Sequence, residues 1–131
     1  MRLLMVLLSM LALAAPSLAA PPLAMGGDPA RGAIVYERCQ ACHSLARNRT
    51  GPKHCGLLGR AAGSVAGFAY SPAMRGSGIV WDEAALDSFL ADPRGVVPRT
   101  TMGYDGVKDA QQRADLIAYL ATAVAGSTLC R

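Results

Sequence analysis

Apolar residues run almost without a break from 3 to 15, interrupted only by Ser9; from residue 28 onward they recur in short patches at helical spacing. The first run is too short to span a bilayer, which takes about 20 residues. Arg2 precedes it, Pro16 follows it, and Ser17-Leu18-Ala19 fits the small-x-small rule for cleavage, so residues 1–19 read as a secretory signal peptide. Residues 20–27 are rich in Pro and Gly and lack a period, as in a flexible N-terminal tail. Asp28-Pro29 then opens a helix with a capping carboxylate and Pro at its first position, and Ile34, Val35 and Tyr36 carry it toward Cys39. Residues 44–67 show no sustained period and read as loop. Ser71-Pro72 opens a short helix that Gly76 stops, and Asp82 caps another with Ala85, Leu86, Phe89 and Leu90 on one face. Asp92-Pro93 ends that helix, and residues 94–105 read as loop. Asp109 with Gln112 approximates a capping box for a closing helix that carries Leu116, Ile117, Leu120 and Val124. Nothing alternates as a strand does, so the pattern predicts an all-α domain over residues 28–131, three to five helices joined by long loops.

Composition sharpens this. The hydrophobic content of 52% is inflated by the leader, and the remainder holds one Trp and two Phe. A small, aromatic-poor domain is marginal on its own apolar burial and gains from a cofactor at its centre. Thirteen basic against nine acidic residues give a net charge of +4, of which Arg2 would leave with the leader. No dense basic cluster interleaved with aromatics is present, which excludes a nucleic-acid partner, whereas mild positive charge suits docking on acidic protein surfaces. No second segment approaches membrane length, so no stable membrane insertion is expected after cleavage.

The chemistry concentrates at Cys39-Gln40-Ala41-Cys42-His43. C-x-x-C-H is the attachment signature of a c-type haem: two thiols one turn apart reach the vinyl groups, and the imidazole beside the second ligates iron. A zinc site would need two further ligands at suitable spacing, and His54, Cys55 and Cys130 form no second pair. A thioredoxin-like C-x-x-C needs no trailing His and belongs to a βαβ context. With Cys39 and Cys42 spent on one covalent haem c, Cys55 and Cys130 remain. In an exported chain their default is a disulfide, with intermolecular bonding or free thiols as the alternatives.

Beyond this motif, G-D-P-A-R-G at 27–32, T-G-P at 50–52, G-L-L-G-R at 56–60, G-F-A-Y-S at 67–71 and G-I-V-W at 78–81 follow in register. Pro98 to Met102 and R-A-D-L-I-A-Y-L at 113–120 complete the set. In this order and spacing the chain resembles the class I c-type cytochromes, the mitochondrial-type cytochromes c and their soluble bacterial relatives, from about Gly27 to Leu120. The resemblance implies the class I cytochrome c fold, with iron held between His43 and Met102; Met74 is the rival thioether, and a core methionine is the plainer reading of either. It also implies that the Pro52 carbonyl accepts the ring N–H of His43, and that Arg60, Tyr70 and Trp81 bind the haem propionates. Gly32 and Tyr119 would mark a crossing of the first and last helices. Departures from the family pattern carry expectations of their own. Arg99 stands where the family usually has Gly, so its backbone is expected to avoid positive φ, and His54 is expected to be a surface side chain.

The function implied is that of a soluble, monomeric periplasmic one-electron carrier and not an enzyme. Its partners would be a quinol–cytochrome c oxidoreductase or dehydrogenase as donor and an oxidase or photosynthetic reaction centre as acceptor. The alternatives are a haem subunit of a larger dehydrogenase complex and a haem peroxidase or gas-binding protein with an open sixth coordination site.

Overall fold

The computed structural model describes residues 26–131. The expected signal peptide at 1–19 and most of the expected tail lie outside the described residues. Among the described residues five α-helices follow one another: α1 (Pro29–Tyr36), α2 (Pro72–Arg75), α3 (Glu83–Ala91), α4 (Pro93–Val96) and α5 (Ala110–Thr122), with 3₁₀ turns at Cys39–Ala41 and Thr128–Cys130. Among the described residues, β pairing is confined to one isolated bridge between Ala61 and Val80. The domain is all-helical.

Each α-helix starts on a side-chain cap that the sequence supplies locally. Asp28 accepts from the Ala30 N–H (2.8 Å), Asp82 from Ala85 (2.7 Å), and Asp109 from Gln112 (2.8 Å). Ser71 accepts from the Met74 N–H at 3.1 Å. These bonds satisfy amide groups that the first helical turn leaves unpaired. Asp92 does double duty: its N–H closes α3 on the Ser88 carbonyl (3.3 Å), and its carboxylate caps α4 through the Gly95 N–H (3.1 Å). Residues 94–105 are therefore not loop throughout, because Asp92-Pro93 stops one helix and starts another. The capping box at Asp109 is only half made, since the Gln112 side chain turns to accept from Arg38 (2.9 Å). Val124 lies beyond α5 and is 54% exposed, so it does not extend the buried face of Leu116, Ile117 and Leu120.

The main packing is α1 across α5. A Cβ on Gly32 would run into the Asp115 carbonyl and come within 2.7 Å of the Tyr119 Cβ, so only glycine lets the two backbones meet. Gly27 likewise lies against the Ala114 carbonyl, so the end of the expected tail is docked on α5. At this crossing the buried Asp115 carboxylate accepts both Arg31 Nε (2.8 Å) and Nη2 (2.9 Å), the Asp28 N–H (2.8 Å) and Gln111 Nε2 (2.9 Å). The Arg31 hydrogen bond, with the Asp28 amide next, holds the Asp115 carboxyl well below the usual carboxylate range. A lowered folded-state pKa contributes stability above the ordinary carboxylate range, lost as pH falls toward the folded value. Asp115→Asn is therefore expected to melt below the parent at pH 7. The gap should narrow as pH falls below 4, since the parent then protonates Asp115; parallel melting curves across that range would refute the assignment.

Arg99 has φ +68°, against the expectation of a negative value. The Thr100 N–H donates to the Val97 carbonyl at 3.0 Å, closing a tight turn with Pro98 and Arg99 at its centre. Pro favours the first central position, and a positive φ at the second is the type II signature. The turn hydrogen bond thus overrides a side-chain preference worth about 1–2 kcal/mol. This turn delivers the chain to Met102.

Candidate functional site

After α1 the backbone tightens into the Cys39–Ala41 turn, in which the Cys42 and His43 amides both donate to the Cys39 carbonyl, at 3.1 and 2.8 Å. This curls both thiols and the imidazole onto one side of a single turn. Arg49 holds the turn from outside, donating to the Gln40 carbonyl at 2.6 Å. Cys39 is half-buried and Cys42 exposed; burial pushes the Cys39 thiol up and keeps it protonated.

His43 is buried, and its Nδ1 lies 2.8 Å from the Pro52 carbonyl. That bond makes Nδ1 the protonated nitrogen and leaves Nε2 as a lone-pair donor. Burial pulls the His43 pKa down, opposed by the Pro52 bond, so the ring is neutral and fit for a metal. Gly51 stands where any Cβ would run into this ring.

One cavity of about 330 Å³, open on one side, gathers the dispersed candidates: Cys39, Cys42, His43, Pro52, Arg60, Tyr70, Trp81 and Met102 all line it. Its remaining wall includes the hydrophobic core residues Leu57, Leu86, Phe89, Leu90, Leu116 and Leu120. Met74 is on the wall too, but it is buried within the core cluster on α2, whereas Met102 is partly buried on an irregular segment. Trp81 packs on Phe89 with ring centroids 5.0 Å apart. The Arg60 guanidinium donates to the Cys55 (3.0 Å) and Lys53 (2.9 Å) carbonyls, which ties it to the loop below His43. Neither the Tyr70 hydroxyl nor the Trp81 indole N–H takes part in a hydrogen bond among the described residues, so both are available to an occupant of the cavity. A neutral imidazole, a thioether, two thiols and spare polar hydrogens around an apolar interior match an iron porphyrin with carboxylate arms.

Two features escape a reading of the sequence. His54 is half-buried rather than a free surface side chain: it lines the cavity, its ring stacks on His43 with centroids 4.2 Å apart, and its Nδ1 meets the Tyr36 hydroxyl at 3.1 Å. Burial, then the proximity of His43, holds it well below the usual histidine range, and burial also raises the Tyr36 phenol. A lone His in a loop carries no period that would betray which way it faces. Arg49 likewise gives no sequence signal, because its partners are backbone carbonyls. A disulfide joins Cys55 to Cys130 with Cα atoms 5.7 Å apart across 75 residues, fastening the C-terminal turn beside the His54 loop.

The profile of the family described as Cytochrome c matches residues 29–123. The chain is 48% identical over 99 residues to cytochrome c2 of Rhodomicrobium vannielii, covering 73% of this chain and 79% of that one. It is 41% identical over 97 residues to cytochrome c-550 of Nitrobacter winogradskyi, covering 72% and 89%. Among solved structures, cytochrome cH from Methylobacterium extorquens superposes with a TM-score of 0.72 at 42% identity, covering 73% of this chain and 99% of that one.

Proposed function

The chain belongs to the cytochrome c family, and from that premise we propose that it is a periplasmic one-electron carrier with a single haem c, covalently attached through Cys39 and Cys42 and ligated by His43 and Met102. The observation that supports this most is the convergence of all eight candidate residues, scattered over more than sixty positions, on one cavity. A bound haem supplies an iron that cycles between Fe(II) and Fe(III), at a potential that a thioether ligand raises relative to a second imidazole.

The chain's own residues prepare the site for electron transfer rather than for turnover of a substrate. Pro52 fixes the tautomer that presents His43 Nε2 as a donor. The apolar wall around Trp81 and Phe89 excludes water, which limits the reorganisation that a change of charge would otherwise demand. Tyr70, Trp81 and Arg60 supply donors for buried carboxylates that would be costly unpaired. Peroxidase or gas-binding chemistry needs an open coordination position, and the placement of Met102 on the cavity wall weighs against it.

Export after cleavage at 1–19 would deliver the protein to a compartment where the Cys55–Cys130 bond persists. Donor and acceptor would be a quinol–cytochrome c oxidoreductase or dehydrogenase and an oxidase or reaction centre, met by a monomer through small, weak interfaces that allow fast turnover. The test is the intact mass and the visible spectrum of protein exported by a host competent in cytochrome maturation. The expected product carries one haem, is low-spin in both oxidation states, and shows the long-wavelength band of methionine-ligated ferric iron. A colourless chain with the mass of bare polypeptide would overturn the proposal.

A further inference from the structure

The electron-carrier reading leaves one half-buried polar side chain without a task, and that side chain touches the axial ring. His54 lies face to face on His43, with ring centroids 4.2 Å apart and planes inclined by 23°. Its Nδ1 is 3.1 Å from the hydroxyl of Tyr36, which is itself 1% exposed and packs on Tyr119 at 5.4 Å between centroids. The backbone beneath it is strapped down: the His54 and Cys55 amides donate to the Ser44 and Leu45 carbonyls, at 3.1 and 2.8 Å. Cys55 is in turn bonded to Cys130. With ring, backbone and neighbouring residue all held, His54 is a fixed surface.

A fixed flat surface against an imidazole has a specific consequence. The Pro52 bond holds the His43 ring at one atom, Nδ1. That bond sets the tautomer, and the Gly51 backbone lies close against the ring, so the His54 contact bounds the ring's tilt from a further direction. Contact over the ring face limits the tilt. An aliphatic side chain could fill the same volume, but it offers no plane. The Tyr36 bond then stops His54 from turning out of the stack.

We propose that His54 is a positioning residue for the axial imidazole: stacked on His43 and hydrogen-bonded to Tyr36, it sets the plane in which the ligating ring lies. This rests on the reading of His43 as an iron ligand, and it concerns the orientation of that ligand rather than its identity.

The orientation of an axial imidazole governs how the unpaired electron of the ferric state spreads over the porphyrin, and so the pattern of hyperfine-shifted haem-methyl resonances in the proton NMR spectrum. Oxidised holoprotein is compared with His54→Leu, His54→Phe, Tyr36→Phe and the His54→Leu/Tyr36→Phe double variant. His54→Leu, which removes both ring and bond, is expected to redistribute the methyl shifts most. Tyr36→Phe, nearly volume-conserving, is expected to move them in the same sense by less. His54→Phe keeps a flat ring and should stay nearer the parent than His54→Leu. The double variant should go no further than His54→Leu, because both changes act through one contact. Methyl patterns unchanged in both Tyr36→Phe and His54→Leu would overturn the proposal, as would a larger departure for His54→Phe than for His54→Leu. Should His54→Leu fail to fold, Tyr36→Phe decides alone: a redistributed pattern supports the clamp and an unchanged one refutes it. A parent protein without covalent haem by mass would instead defeat the electron-carrier reading, so the two failures are distinguishable.

Discussion

Replacing Cys39 and Cys42 together with alanine is expected to give an exported chain that has the mass of bare polypeptide and no longer melts cooperatively at the parent's temperature. The reason lies in what lines the cavity. Trp81, Leu86, Phe89 and Leu120 belong both to its wall and to the hydrophobic core, so the group tethered there is part of the packing. At about 24 cal/mol per Å³ of void, a cavity of about 330 Å³ scales to about 8 kcal/mol. That is a ceiling, since water enters through the open side. Even half of it is a large share of the roughly 5–15 kcal/mol that stabilises a whole domain. The thiols themselves contribute little, because Cys42 is exposed and Cys39 half-buried. Circular dichroism against temperature, read beside intact mass, checks both parts. A haem-free double variant that melted within a few degrees of the parent would show that the polypeptide core stands alone.

The second large effect is expected from Gly32→Ala, one methyl group at the crossing of α1 and α5. Helix propensity by itself favours alanine over glycine by about 1 kcal/mol. Packing opposes it: the new Cβ would run into the Asp115 carbonyl and lie within 2.7 Å of the Tyr119 Cβ, and backbone cannot rotate aside as a flexible side chain can. The helices must separate, which also stretches the Arg31–Asp115 and Asp28–Asp115 bonds made at the same place. Overpacking of this kind costs roughly 1–3 kcal/mol and sometimes more, so with the propensity gain offset against it a net loss of about 2 kcal/mol and of roughly 8–16 °C in Tm is expected. Gly26→Ala serves as the control, since nothing lies within 4 Å of a Cβ there. Gly32→Ala melting with the control would mean that α1 can ride over α5 without glycine.

How far the sequence could be read depended on the range of the interaction concerned. The helix starts at Asp28, Ser71, Asp82 and Asp109 were legible because a cap is a bond between residues two or three apart. Val124 was placed on the last helix because spacing alone continues a stripe, whereas that helix ends at Thr122. Arg99 was expected to keep a negative φ because the residue type disfavours the alternative, and the Val97–Thr100 bond overrode it. Asp115 sits in the middle of a helix where a carboxylate reads as solvent-facing. The arrival of Arg31 and the Asp28 amide from the other end of the chain makes its burial tolerable.

By itself, then, the sequence determined an all-helical chain, the starting points of its helices and the thiol–thiol–imidazole cluster, since each is written in neighbouring residues. Tertiary structure decided that His43, Pro52, Tyr70, Trp81 and Met102 share one cavity, and that His54 lies inside with its ring on His43. Those outcomes are contacts between segments with no common period, fixed only when the loops close around the core. A lone histidine carries no mark of which side of a loop it will face until the tyrosine and imidazole it packs between are in place.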